Sequence, residues 1–226
     1  MYVKTQGLIL RETNYKEADK ILTVLTREGG KRTVKARGCR RKNSPLAASA
    51  QLLAWSDMTL FAHRERFTLQ EAEPLDLFWG VRADVEKLAL ASYFAEAAGA
   101  AAEEGRPDPA LLSLALNSLY ALDKLRKPLP LVKAAFELKL LCVAGYEPLL
   151  DACAVCGDPQ PREPRLDLAE GVLRCAACGL GDGADRSLDA AALGRMAAAC
   201  EDFLLRQLER GFSTLDFYRR LTAGGA

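Results

Sequence analysis

The sequence predicts an α+β chain: a small five-stranded β-barrel, then α-helices interrupted by a four-cysteine knuckle. Three observations predict it. The first 75 residues carry short apolar runs separated by glycine and turn signals, which is strand patterning. From Val81 the apolar residues take helical spacing over longer runs. Two C-x2-C pairs, Cys153-Ala-Val-Cys156 and Cys175-Ala-Ala-Cys178, stand inside the helical part with eighteen residues between them. The expected division is a barrel domain over 1–80, a helical domain over 81–150 and 184–226, and a knuckle over 151–183 inserted in it.

Gly7-Leu-Ile-Leu10 is the first strand and Lys20-Ile-Leu-Thr-Val-Leu25 the second, closed by Glu28-Gly-Gly30. Lys31 to Arg37 is the third, closed by Gly38. Ser44-Pro45 opens a compact segment of helical composition, Leu46 to Leu53. Asp57–Phe61 and Arg66–Gln70 are the last two strands. Five strands with a helical insert after the third is the plan of an OB-fold barrel, with another small five-stranded barrel as the competitor.

In the helical part, Asp84 begins an Ala-rich helix without a breaker until Gly99. Pro107-Asp108-Pro109 begins a leucine-rich second helix. Pro130 begins a third, stopped by Gly145; proline suits the first helical turn because its missing N–H would be unbonded there anyway. Asp189 to Leu208 is a fourth, and Thr214 to Leu221 a short last one.

The paired cysteines point to a structural Zn²⁺ site. Each pair sets two thiolates on one tight turn, and two such turns close a tetrahedron around one ion. Gly157 and Gly179 follow the second cysteine of each pair and permit the left-handed backbone these turns often use. A proline-rich loop, Pro159–Pro164, and a short hairpin, Arg165–Leu168 with Gly171–Arg174, fill the interval. Cys153, Cys156, Cys175 and Cys178 together fill the coordination shell, leaving no position for a catalytic water, and the one histidine, His63, lies outside the pattern. Free or disulfide-bonded cysteines are the competing reading. Cys142 and Cys200 fall in apolar helical patterns as small core residues. Cys39, in a basic turn, is expected to be exposed with a lowered pKa and no assigned chemistry.

The net charge of +1 is divided unevenly: residues 1–80 carry 14 Lys/Arg against 9 Asp/Glu, and the remainder 17 against 21. A polyanion partner belongs at the amino end. No signal-peptide core and no transmembrane-length run is present, which predicts a soluble cytoplasmic protein without a membrane partner. Metal-type cysteine spacing suits a reducing compartment.

The basic charge concentrates between Lys31 and Lys42. On a strand, Lys31, Thr33, Lys35 and Arg37 share one face, while Val34 and Ala36 turn toward the core. Arg40-Arg41-Lys42 continue the charge through a loop. Lys31, Lys35, Arg37, Arg40, Arg41 and Lys42 are therefore the candidate DNA-binding residues, since basic grooves on OB barrels track a phosphate backbone. A solvated basic edge that prevents sheet aggregation is the plainer reading. Aromatic interleaving is sparse, with only Tyr2 and Tyr15 nearby. Gly30-Lys31 is no phosphate loop, because Leu25 stands where glycine is needed and Arg32 where Ser or Thr is needed. No G-x-S-x-G motif, dinucleotide fingerprint or acidic metal cluster appears, and a non-enzyme is expected.

Gly7-Leu-Ile-Leu-Arg with Ala18-Asp-Lys-Ile-Leu-Thr, Gly38-Cys-Arg-Arg before Ser44, Phe136-Glu-Leu-Lys-Leu-Leu with Gly145-Tyr-Glu-Pro148, and Cys153-Ala-Val-Cys156-Gly resemble the bacterial recombination mediator RecO family. The resemblance spans most of the chain. It implies an N-terminal OB-fold, a helical domain and a structural zinc knuckle. It also implies binding of single- and double-stranded DNA, annealing of complementary strands without ATP, and partnership with RecR in loading RecA onto strands covered by single-strand-binding protein, at the nucleoid. A zinc-ribbon scaffold for protein or RNA is the reading from another class.

Overall fold

The structure, a computed structural model, describes residues 1–64, 66–178, 185–187 and 193–224. Five strands come first: β1 (Tyr2–Tyr15), β2 (Asp19–Thr26), β3 (Gly30–Ala36), β4 (Trp55–His63) and β5 (Arg66–Asp76). They close into a barrel in the order β1-β2-β3-β5-β4, with β3 and β5 parallel and every other pair antiparallel. Closure in this order is the OB arrangement expected from the sequence. The period-2 alternation explains the core: Ile9, Leu22, Val24, Val34, Ala36, Met58, Leu60 and Leu69 all turn inward. β1 is long enough to serve two neighbours. Its register against β2 shifts between Ile9 and Arg11, a bulge that helps a strand bend around a small barrel.

The segment expected as a helical insert is instead a run of turns. Ala47 donates to Ser44 (3.1 Å), Ala50 to Leu46 (3.0 Å) and Ala54 to Gln51 (3.1 Å). The barrel explains the change. Leu53 N–H donates to the Ile9 carbonyl (2.9 Å), Ile9 N–H to the Ala54 carbonyl (3.0 Å), and Leu52 N–H to the Glu12 carboxylate (3.0 Å). Backbone groups that a helix would satisfy internally are satisfied by β1, and Leu53 sits at φ 65, outside helical geometry. Leu46, Ala50 and Ala54 are buried in the barrel core, so burial overrides the local helical preference.

Six α-helices occur among the described residues: α1 (Trp79–Arg82), α2 (Val85–Ala101), α3 (Pro109–Lys124), α4 (Leu129–Val143), α5 (Leu193–Gln207) and α6 (Ser213–Ala223). Asp84 caps α2 by accepting from Glu86 and Lys87 N–H, and Asp108 caps α3 by accepting from Leu111 N–H. α2 continues through Gly99 rather than stopping there. A Cβ at Gly99 would lie 3.6 Å from Leu10 Cδ1, so the glycine lets the helix pass close to β1. The start of the predicted fourth helix, residues 189–192, and Gly179 lie outside the described residues.

The chain forms two compact units. The first comprises Met1–Leu125 and Phe212–Ala226, the second Arg126–Gly211. In the first, α6 packs on α2, the buried rings of Phe212 and Tyr93 meet edge-on at 5.6 Å, and the Glu96 carboxylate accepts from Thr214 N–H (3.1 Å) and Thr214 Oγ1. Glu96 thus supplies the negative charge that a helix N-terminus favours. In the second, α4 packs on α5, and short strands β6 (Arg165–Asp167), β7 (Val172–Arg174) and β8 (Asp185–Ser187) form a sheet in the order β7-β6-β8. The predicted hairpin is β6–β7.

Candidate metal centre and nucleic-acid interface

Cys153 and Cys156 lie on a turn closed by Gly157 N–H to the Cys153 carbonyl (2.8 Å), with Gly157 at φ 73. Cys175 follows β7, and Cys178 N–H returns to the Cys175 carbonyl (3.2 Å) in a single 3₁₀ turn. Ala154 N–H donates to the Leu173 carbonyl (2.8 Å), which ties the first turn to the hairpin. The hairpin is itself braced by Asp167. That carboxylate accepts from Ala169 (2.9 Å) and Glu170 (3.2 Å) N–H and from Arg174 Nε (3.2 Å). Burial pushes its pKa up, but the two N–H donors and the guanidinium outweigh burial and hold it below the usual carboxylate range.

These turns bring four sulfurs, of Cys153, Cys156, Cys175 and Cys178, within 4.8 Å of one another. A regular tetrahedron with Zn–S bonds of about 2.3 Å has S···S edges of about 3.8 Å; Cys156 and Cys175 Sγ stand 3.9 Å apart. The donor set and its size fit one tetrahedral soft-metal ion. Backbone N–H groups of Cys156, then Val155, pull the Cys153 thiol down to about 6, which favours the thiolate a metal needs. The crowded neighbours Cys175 and Cys156 push Cys178 up to about 12, because adjacent thiols resist sharing so much negative charge without a cation.

Of the remaining cysteines, Cys200 is a core residue as expected, while Cys39 and Cys142 are not as expected. Cys200 is buried and burial pushes its thiol up to about 11. Cys39 is buried in the barrel core, not exposed, and burial raises its pKa. Cys142 is exposed, not core. α4 buries Lys133, Glu137, Leu140 and Leu141 on one face, and Cys142 falls beside that stripe. α4 is apolar on most of its circumference, which hides the buried face from sequence periodicity.

The six basic candidates separate along β3. Lys31 lies at one end. Its ammonium donates to the Gly99 carbonyl near the end of α2 (2.9 Å), and its backbone pairs with Glu103 (3.3 Å) and Gly105 (3.1 Å). Gly30, at φ 64, is what allows this approach: a Cβ there would lie 1.9 Å from the Arg106 carbonyl oxygen. Arg32 also turns inward, its guanidinium 4.9 Å from the Phe67 ring centroid. Six residues further along β3, about 20 Å away, Arg37, Arg40, Arg41 and Lys42 are exposed together on one loop. Lys35 joins this end, half-buried, its ammonium 3.0 Å from Asp19 Oδ2 and 4.8 Å from the centre of the Tyr15 ring.

The loop is stitched to the β1–β2 turn. Asp19 Oδ1 accepts from Gly38 N–H (2.8 Å), Arg40 N–H donates to the Ala18 carbonyl (3.0 Å), and Arg40 Nη1 reaches the Lys16 carbonyl (3.4 Å). Lys16 itself stands 5.6 Å from the Tyr15 ring centre. Lys16 and Asp19 are therefore members of this surface that the charge run alone does not reveal. Their only sequence signal is placement in the β1–β2 turn, one of the loops that OB barrels use for nucleic acid. His63 is exposed at the end of β4 and belongs to neither site.

Comparison with known families agrees with this geometry. The family profile described as Recombination protein O N terminal matches residues 1–78, and the one described as Recombination protein O C terminal matches residues 82–212. The chain belongs to the RecO family. A DNA repair protein RecO of Alkaliphilus metalliredigens is 35% identical over 178 residues, covering 79% of this chain and 72% of that protein. A DNA repair protein RecO of Acetivibrio thermocellus is 29% identical over 245 residues, covering 97% of each. In Listeria monocytogenes a protein of the same description is 37% identical over 155 residues, 69% of this chain and 60% of the relative. The RecO profiles thus cover both the barrel and the knuckle. Among the described residues, no helix is long and apolar enough to cross a membrane.

Proposed function

We propose that this chain is a non-enzymatic DNA-binding mediator of recombinational DNA repair in the cytoplasm. In this reading it binds single- and double-stranded DNA and anneals complementary strands without ATP. With RecR, it then helps load RecA onto strands covered by single-strand-binding protein. One observation carries the DNA assignment: four exposed cations, Arg37, Arg40, Arg41 and Lys42, project from one loop tied to the β1–β2 turn of an OB barrel, in a member of the RecO family. Lys35 and Lys16 extend the surface, while Lys31 holds β3 to α2 and serves the fold.

The mechanism needs no bond-making step. Two strands repel through their phosphates; a cationic face that holds one strand lowers that repulsion and raises the encounter rate of the second. The contacts are to backbone, so they position the strand without selecting its sequence. In this account the barrel, 1–80, supplies the charge, and the helical regions, 81–150 and 184–226, with the knuckle, 151–183, hold protein partners. Zn²⁺ on Cys153, Cys156, Cys175 and Cys178 would be structural: four sulfurs fill a tetrahedral shell and leave no reactive position.

The test is DNA binding by the intact protein across a salt series. Replacing Arg37, Arg40, Arg41 and Lys42 together by Ala should weaken binding uniformly across sequences. It should flatten the log–log salt slope by roughly 0.7 per lost contact on single strands and 0.9 on duplex, and slow annealing with melting unchanged. Wild-type affinity and slope in that variant would place the DNA site elsewhere.

A further inference from the structure

We propose that Asp19 is a positioning residue of the nucleic-acid face, a side chain that holds the basic loop in its binding shape, so that deleting its acceptor weakens the grip on a polyanion even though a negative charge goes with it. The inference rests on the reading of that loop as the DNA site.

The loop carries Arg37, Arg40, Arg41 and Lys42, four cations that repel one another. Its fixed points are few. Cys39 is buried in the barrel core, Arg41 N–H returns to the Gly38 carbonyl (3.0 Å), and Arg40 N–H reaches the Ala18 carbonyl. At the loop's entry the chain turns through Gly38 at φ 64, a residue with no side chain to anchor it. Asp19 Oδ1 takes the Gly38 N–H there, while Oδ2 takes Lys35 Nζ. One carboxylate therefore fixes both the pivot of the loop and the ammonium that lies over the Tyr15 ring. It is the side-chain tie between the β1–β2 turn and the loop backbone at Gly38.

Its geometry favours positioning over repulsion of DNA. The Asp19 side chain is only 18% exposed and is covered by the donors it orders. Gly38 N–H, then Lys35, hold it below the usual carboxylate range, so the tie persists at every physiological pH. A simple charge count gives the opposite expectation. Removing a unit negative charge about 8 Å from a phosphate in water should tighten binding about twofold.

The experiment compares Asp19→Ala, Asp19→Asn and wild type by fluorescence anisotropy with a labelled single-stranded oligonucleotide over a salt series. Thermal melting is measured on the same samples. Asn keeps an acceptor for Gly38 N–H; Ala removes it. Both remove the same charge. Positioning predicts that Ala binds about tenfold more weakly, with a salt slope flatter by about 0.7–1.4 as one or two phosphate contacts are lost, and that Asn restores affinity to between the wild-type value and one about threefold weaker. Equal tightening in Ala and Asn, or no difference between them, overturns the inference. Should Ala fail to fold, Asn still decides: twofold or greater tightening refutes positioning, and wild-type or slightly weaker binding supports it. The quadruple loop variant separates the two levels. If that variant binds normally, the DNA-face reading fails; if it loses binding while Asp19→Ala does not, only the role of Asp19 fails.

Discussion

Replacing Lys133 by Met removes the cation from a buried ion cluster between α4 and α5. Lys133 Nζ lies 2.7 Å from Glu137 Oε1 and 2.5 Å from Glu201 Oε2, and the three side chains are 7%, 0% and 15% exposed. At an effective dielectric of about 20, a pair at 2.7 Å is worth roughly 6 kcal/mol before desolvation is subtracted. Removing one partner leaves the other charge buried, at a cost of about 3–5 kcal/mol. The destabilisation comes from the buried Glu137 carboxylate, which has lost the ammonium it meets at 2.7 Å. The assay is urea denaturation followed by far-UV circular dichroism at pH 8. A second variant, Lys133→Met with Glu137→Met, removes both charges that α4 contributes, leaves the less buried Glu201 in place, and should recover most of the loss, because apolar replacement of a buried pair is often neutral or better. A single substitution costing under about 1 kcal/mol at pH 8, or a double variant no better than the single, would refute this account of the cluster.

Two further outcomes follow from the geometry. The purified protein should carry about one Zn²⁺ per chain by elemental analysis. Cys175→Ser should lose it and destabilise the protein by several kcal/mol, since metal binding of this kind is coupled to folding; a metal-free chain that melts normally would exclude a structural ion. Gly30→Ala should cost more than about 2 kcal/mol in a denaturation curve, because it combines positive φ with a Cβ placed on the Arg106 carbonyl. A near-neutral result would mean that the 103–106 segment separates from β3 without cost.

The barrel and the four-cysteine cluster were legible because each is written in local spacing. Alternation at Val34 and Ala36 marks the inward face of β3, and the C-x2-C pairs mark two turns whatever lies between them. What escaped the sequence depends on partners distant in the chain. Residues 46–53 have helical composition, yet Ile9 and Glu12 claim their backbone donors. Gly99 reads as a stop, yet it serves as a point of close approach to Leu10. Lys31 and Lys35 look alike on one strand face, but Gly99 occupies the first and Asp19 the second. Cys39 has a basic neighbourhood in sequence and an apolar one in space. Charge counting finds a cationic stretch; it does not say which cations are free to meet a phosphate.

The return of α6 to α2 makes the first unit discontinuous in the chain, with residues 126–211 emerging between its two parts. On a ribosome making about 5–20 residues per second, that interval lasts about 4–17 s. Throughout it Tyr93 lacks the Phe212 ring and Glu96 lacks the helix end it caps. All five barrel strands lie within residues 1–76, but the helical side of the unit waits for residues 212–226 to be made. The nascent protein therefore passes through a stage with an apolar α2 surface uncovered, the kind of surface chaperones hold. Loss of α6 would leave the same surface bare in the folded molecule.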